Sequence, residues 1–362
     1  MPIKIFAAPS RYIQCNGEIE NLSHFVSCYG KRFFAVADQF VLNLLSDKME
    51  ASFMIANLDI DFEEFKEEIT SDEILRLLEL FHENAWDAVI GIGGGKTLDA
   101  AKVIASKAGV PVIVIPTIAS TNAASSAGSV IYNAKGEFES VYRSASNPNL
   151  VFVDVDIIAK APVRMLVAGI GDAIAAFYEA RACRASNADN LLKGKSTNTA
   201  FALVEQCDRI LMADGLQAKI SVENQVVNEA LENVVEAILF LSGVGFESNG
   251  LSLAHAVAKG FTTVPGSEDY YHGELVAFGT FVQLILEQAP DYELRKVFAF
   301  MKSVGLPTSL ENLGQGGIAK EELDRVSEII ANVPSTLNMP FEVRASDIAN
   351  ALLAAGDFGN EG

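Results

Sequence analysis

Apolar residues fall in short runs through the first part of the chain and in long Ala- and Leu-rich stretches through the second. Phe33-Phe34-Ala35-Val36-Ala37-Asp38 reads as a buried strand, and Phe53 to Leu58 as a further candidate strand. Leu75 to Phe81 lies in a charged, leucine-rich helical stretch. Asp87-Ala88-Val89-Ile90-Gly91-Ile92 is a strand entering a glycine cluster, Thr97 to Ala108 is helical, and Val112 to Ile115 is a strand ending at Pro116. Leu150 to Val155 is another. Strand, helix, strand in units of this length predicts a parallel sheet with helices packed on it. Val130 to Tyr132, then Asn133-Ala134-Lys135-Gly136, then Phe138 to Tyr142 reads as an inserted β-hairpin.

Past residue 160 the pattern changes. Pro162 opens a short helix. Asp172 to Cys183, Asn198 to Asp214, Ser221 to Ser242, Leu251 to Lys259 and Leu275 to Glu287 then follow as helical stretches, with no convincing alternating strand among them. Two domains are expected, an α/β domain over residues 1–160 and an all-helical domain over 161–362, divided near Ala159 to Ala161. A chain of 362 residues has room for two cores.

Composition narrows the partners. With 27 basic and 47 acidic side chains the formal charge is −20, which repels nucleic acid and anionic membranes. It does not exclude an anionic cofactor, because backbone N–H groups bind phosphate without net positive charge. Cys15, Cys28, Cys183 and Cys207 show no metal-site spacing and read as reduced, buried thiols. No segment approaches the ~18 uninterrupted apolar residues of a membrane span, so a soluble, cytoplasmic protein is expected.

Gly91-Ile92-Gly93-Gly94-Gly95-Lys96-Thr97-Leu98-Asp99 joins a strand to a helix. Such a loop lets a phosphate approach the backbone, and the helix that follows offers free N–H groups and a positive dipole end. A Walker A loop would need glycine where Ile90 stands, and the usual dinucleotide fingerprint would need it where Lys96 stands. Three consecutive glycines cost more backbone entropy than a mere turn requires, so phosphate binding is the better reading. Asp38 ends the first clear strand. It either accepts hydrogen bonds from an adenosine ribose, favouring NAD over NADP, or caps the next helix.

His24 and His82 fall on surface helical segments. His255 sits on an apolar helix face and His272 at the entry to the next helix, 17 positions later. Asp172 opens a helix. Taken singly, His255 could be a core residue and Asp172 an N-cap; together with His272 they form a competent set for Zn²⁺ or Fe²⁺ with a position left open. Spacing alone does not bring them together.

The chain resembles the iron-containing alcohol dehydrogenase superfamily, and within it the glycerol dehydrogenase branch. The likeness is densest in Gly91 to Asp99, Pro116-Thr117-Ile118-Ala119-Ser120-Thr121, Ala168-Gly169-Ile170-Gly171-Asp172-Ala173, Ser242 to Ser248 and Tyr270-Tyr271-His272-Gly273-Glu274. It implies a Rossmann-like NAD domain followed by an all-helical metal domain, the architecture of dehydroquinate synthase. It implies metal ligands, and catalysis through the metal, at Asp172, His255 and His272. It further implies cofactor contacts at Asp38, Gly94, Gly95, Lys96, Asp99, Thr117, Ser120, Ser126, Val130 and Tyr132, and substrate contacts at Asn122 and Phe246. NAD, one divalent ion (zinc rather than iron) and a homo-oligomer, often an octamer, come with it. Two positions depart from the branch: Asn122 stands where an Asp is usual, and Ala258 where a second histidine is usual.

The expected reaction is reversible oxidation of a secondary alcohol, with hydride passing to the nicotinamide. A vicinal diol such as glycerol, propane-1,2-diol or butane-2,3-diol suits it. Neutral Asn122 would also admit a 2-hydroxy acid such as lactate, since an Asp at about 4 Å would repel a carboxylate by up to ~4 kcal/mol at an effective dielectric near ~20. A lyase related to dehydroquinate synthase needs a basic cluster for a phosphorylated sugar acid. Lys259 is the only obvious candidate beside the ligand segments.

Overall fold

The computed structural model describes residues 2–66 and 68–358, which fall into two compact units. One is made of Ala7–Pro162 and Ser221–Phe240. The other is made of residues 2–6, Val163–Ile220 and residues 241–358.

The first unit carries, in order, β1 (Tyr12–Cys15), α1 (Leu22–Val26), β2 (Arg32–Ala37), α2 (Gln39–Ile55), β3 (Asp59–Glu64), α3 (Ser71–His82), β4 (Ala88–Gly93), α4 (Gly95–Ala108), β5 (Val112–Pro116), β6 (Gly128–Tyr132), β7 (Phe138–Arg143), β8 (Leu150–Asp154) and α5 (Val155–Ala159). Six strands form a parallel sheet in the order β1-β8-β5-β4-β2-β3, and β6 and β7 form an antiparallel hairpin, as expected. Strands β4, β5 and β8 are buried along their whole length. Helices cover both faces there, so their sequences are continuous apolar runs.

The expected strand at Phe53 to Leu58 is instead the end of α2, which buries Phe53 against Phe33. The strand follows it as β3, whose sequence DIDFEE carries four carboxylates. An edge strand paired only with β2 leaves such side chains in water, which is why no apolar run marks it. Strand β1, at the opposite edge, also escapes the hydrophobic pattern.

The second unit contains α6 (Val163–Ala185), most of α7 (Asn198–Glu223), α9 (Gly243–Asn249), α10 (Leu253–Phe261), α11 (His272–Leu286), α12 (Asp291–Val304), α13 (Lys320–Ala331) and α14 (Ala345–Phe358). Three sequence expectations change here. Pro162 precedes a long helix rather than a short one. Asp172 lies inside α6, so it caps nothing. Ser221 to Ser242 is broken: Gln225 takes a positive φ of 55°, and Asn228 then caps α8 (Glu229–Glu236) by accepting from the Leu231 N–H. Nor is the division a single cut near residue 160. Residues 221–240 belong with the sheet, where the Gln14 side chain donates to the Glu232 carbonyl and Tyr12 stacks on Phe240. Residues 2–6 belong with the helices, through main-chain bonds between Ile5, Ile3 and Lys195.

None of the four cysteines is in a disulfide; Cys183 and Cys207 are buried, but Cys28 is exposed in the short turn Ser27–Tyr29 and Cys15 is half-buried. His24 and His82 are exposed, as expected. Among the described residues no single helix is long and apolar enough to cross a membrane.

Candidate active site

Three helices of the second unit meet where glycine removes the side chain between them. A β-carbon on Gly273 of α11 would land on the Ala168 carbonyl oxygen of α6, and one on Gly171 of α6 would land on the Gly273 carbonyl. A β-carbon on Gly279 of α11 would strike the Ala254 carbonyl of α10. Each of these contacts has a residue of interest next to one of its partners. Gly171 precedes Asp172, Gly273 follows His272, and Ala254 precedes His255. Backbone-to-backbone approach therefore converts sequence distance into proximity.

Asp172 Oδ1 lies 3.4 Å from His255 Nε2 and 3.6 Å from His272 Nε2. One donor atom from each of the three side chains lies within 4.8 Å of the others. The carboxylate is 1% exposed, while the His272 ring is 51% exposed, so the cluster is closed on the Asp172 side and open on the His272 side. The oxygen–nitrogen separations exceed the roughly 2.7–3.2 Å of an N–H···O bond. They match the spacing of about 3.4 Å expected for donors on one tetrahedral ion with bonds of about 2.1 Å. The donor set, one carboxylate and two imidazoles, fits a divalent metal.

Glu179, absent from the sequence reading, organises this cluster. It is fully buried on α6, seven positions after Asp172 and thus on the same helix face. Its Oε2 lies 2.6 Å from His255 Nδ1. Its Oε1 accepts the backbone N–H groups of Ser252 and His255. Gln283 of α11 completes the start of α10, accepting from Ser252 Oγ and the Ala254 N–H. The unpaired N–H groups at the beginning of α10 are thus satisfied by side chains of two other helices. With Nδ1–H donated to Glu179, the Nε2 lone pair of His255 is left for a metal. Burial disfavours the imidazolium at His255, but Glu179 and then Asp172 outweigh it and push its pKa up to about 10. A cation at Nε2 would take the place of that proton. The signal that could have found Glu179 is a lone acid two turns after Asp172, with no other charge between them.

This geometry gives a direct test. In Glu179→Gln the amide must turn its NH₂ either toward His255 Nδ1, moving the proton to Nε2, or toward the two backbone donors. Either arrangement spoils one of the acceptor roles. Metal affinity is expected to fall roughly 10- to 100-fold, read by competition with a chromophoric chelator. An unchanged affinity would show that Glu179 does not set the tautomer.

The cofactor candidates gather in the first unit. From β2 the chain runs to β3 on one side and to β4 and β5 on the other, so the sheet order reverses between β2 and β4. Ligands of open α/β sheets bind at the carboxyl ends of the strands beside such a reversal. Asp38 follows β2, Gly94 and Gly95 follow β4, and Thr117 follows β5, with Ala37 paired to Ile92 and Gly93 to Pro116 across the ladder. Gly93 has φ +148°, where a β-carbon would also crowd Thr97. Gly94 caps α4 with no side chain bonded to the helix start.

Asp38 does cap α2, accepting from the Val41 N–H through one oxygen. Lys96 Nζ pairs with Glu68 at 2.7 Å and lies over the Tyr132 ring. Thr117 and Ser126 are buried, and Ser120, Val130 and Tyr132 are half-buried. Asp99 accepts from the Val130 N–H through one oxygen and faces Lys102 with the other. Asn122 is buried just before the turn Ala123–Ser125, and Phe246 is half-buried in α9.

A family model of iron-containing alcohol dehydrogenases matches residues 9–155. The glycerol dehydrogenase of Escherichia coli O6:H1 is 44% identical over 357 residues, covering 98% of this chain and 97% of its own. That of Thermotoga maritima is 43% identical, covering 97% of this chain and 96% of its own. The crystal structure of glycerol dehydrogenase from Schizosaccharomyces pombe superposes with a TM-score of 0.95 at 35% identity, covering 100% of this chain and 92% of that one. With likeness of this degree along nearly its whole length, the chain belongs to the iron-containing alcohol dehydrogenase family, in its glycerol dehydrogenase branch.

Proposed function

We propose that the protein catalyses the reversible, NAD-dependent and metal-assisted oxidation of a small polyol, glycerol to dihydroxyacetone foremost. The observation that carries this reading is the meeting of Asp172, His255 and His272 from three helices, with Glu179 holding His255 in the metal-binding tautomer. A divalent ion held by these three residues supplies Lewis acidity that acidifies an alcohol hydroxyl. Bound NAD would accept the carbon-bound hydrogen with its electron pair while the hydroxyl proton went to solvent, giving ketone, NADH and H⁺. The glycine loop and the start of α4 bind the pyrophosphate, and Asp38 binds the adenosine ribose through the oxygen not used as a cap. Two nitrogen donors and one oxygen with an open position accept zinc or iron; zinc is the ion proposed, as the resemblance to the glycerol dehydrogenase branch implies. The relatives favour a polyol over the hydroxy acid that Asn122 would admit, and over a lyase.

The test is a substrate panel on metal-stripped protein reloaded with zinc or iron. NADH formation is expected to vanish on stripping, to return best with zinc, and to be fastest with glycerol among glycerol, propane-1,2-diol, butane-2,3-diol and D-lactate. Full activity without metal would overturn the reading, and a preference for D-lactate would move it to the hydroxy acids.

A further inference from the structure

Lys102, in the third turn of α4, is among the largest fully buried side chains of the molecule, with 1% exposure. Its ammonium group faces Asp99 Oδ1 at 2.8 Å. It also donates to the main-chain carbonyls of Ala123 at 3.0 Å, Ser126 at 3.1 Å and Gly128 at 2.6 Å. Asp99 Oδ2 takes the Val130 N–H at 2.8 Å, and the Ser129 hydroxyl donates to the Asp99 carbonyl. One buried ion pair thus reaches most of the segment from Ala123 to Val130. The helix that carries it begins at the glycine loop. A segment that only needed closing would not need a buried charge, since well-packed apolar replacements of buried ion pairs are often as stable. What the pair adds is one fixed path for the backbone.

We infer that Lys102 is a positioning residue for the dinucleotide, holding the backbone of Ser126 and Val130 in register with the phosphate-binding start of α4. Asp99 then acts through Val130 and Lys102, toward which its two oxygens are turned. This inference rests on the reading that the first unit binds NAD.

The test compares the wild-type protein with Lys102→Met and with the neutral pair Lys102→Met/Asp99→Asn, which leaves no lone charge buried. NADH affinity is read by fluorescence titration, metal content by elemental analysis and stability by thermal melting. The double variant is expected to melt close to wild type, to keep its metal, and to bind NADH at least tenfold more weakly. Purely structural roles for both residues would lower the melting point and leave the dissociation constant alone. A double variant with wild-type NADH affinity overturns the inference. A second measurement needs no variant: in the wild-type protein without NADH the Val130 amide should exchange slowly with deuterium, and fast exchange would overturn the pre-set path. Wild-type protein that binds no NADH would overturn the dinucleotide reading itself, and this inference with it.

Discussion

Asp172→Asn is expected to purify without stoichiometric metal and to lose turnover by a factor on the order of a thousand or more. The substitution keeps the shape of the side chain, so it isolates its charge. The carboxylate is 1% exposed and lies within 3.6 Å of both imidazole Nε2 atoms, so it is the only anion in the ligand set. A neutral amide oxygen in its place leaves two imidazoles to hold a divalent ion. A Lewis acid contributes several kcal/mol to such a reaction, and about 1.4 kcal/mol is worth tenfold in rate. Elemental analysis and steady-state kinetics check both halves. A variant carrying full metal with near wild-type turnover would show that the ion is held elsewhere.

Gly273→Ala is expected to lower the melting temperature by several degrees and turnover by at least about tenfold. The added methyl would occupy the position of the Ala168 carbonyl oxygen. Main chain lies on both sides, so no side chain can swing away, and α6 and α11 must separate. Overpacking of this kind costs about 1–3 kcal/mol, with more expected against backbone. At roughly 2–4 °C per kcal/mol the shift is readily measured. Because Gly273 adjoins His272 and faces the turn before Asp172, the separation also moves two of the three proposed ligands. Gly356→Ala in α14 is the control. A β-carbon there meets nothing within 4 Å, so that helix should be unchanged or steadier by up to about 1 kcal/mol. Equal effects at the two positions would refute the role given to the helix crossing.

The residues differ in how far the sequence alone reveals them. Strands β4, β5 and β8 are legible because burial on both faces writes them as unbroken apolar runs. The edge strand β3 is hidden because water tolerates its acids. The glycine loop announces a close approach, and its position beside the β2/β4 reversal fits that reading. Asp172 looked like a cap because the helix before it, rich in Gly and Ala, carries no marked start. Glu179 and Lys102 are invisible in a single sequence for one reason: a buried charge is recognised by its partners. Those partners, His255 for one and the Ala123 to Gly128 carbonyls for the other, come from other segments. Likewise the ligand set could be listed from the sequence, but its meeting depended on resemblance, since no spacing rule encodes a crossing of three helices.

The close crossing of α6, α10 and α11 is made by main chain against main chain at Gly171, Gly273 and Gly279. In small zinc domains the cation is the nucleus around which the chain orders, and removing it unravels the fold. Here the helix packing is expected to hold the cage without it. Chelation should leave a folded protein whose melting point climbs with added metal only by mass action, in proportion to RT ln(1 + [M]/Kd). On that outcome, which ion the enzyme carries would be decided late, by cellular supply and by affinity for a finished cavity.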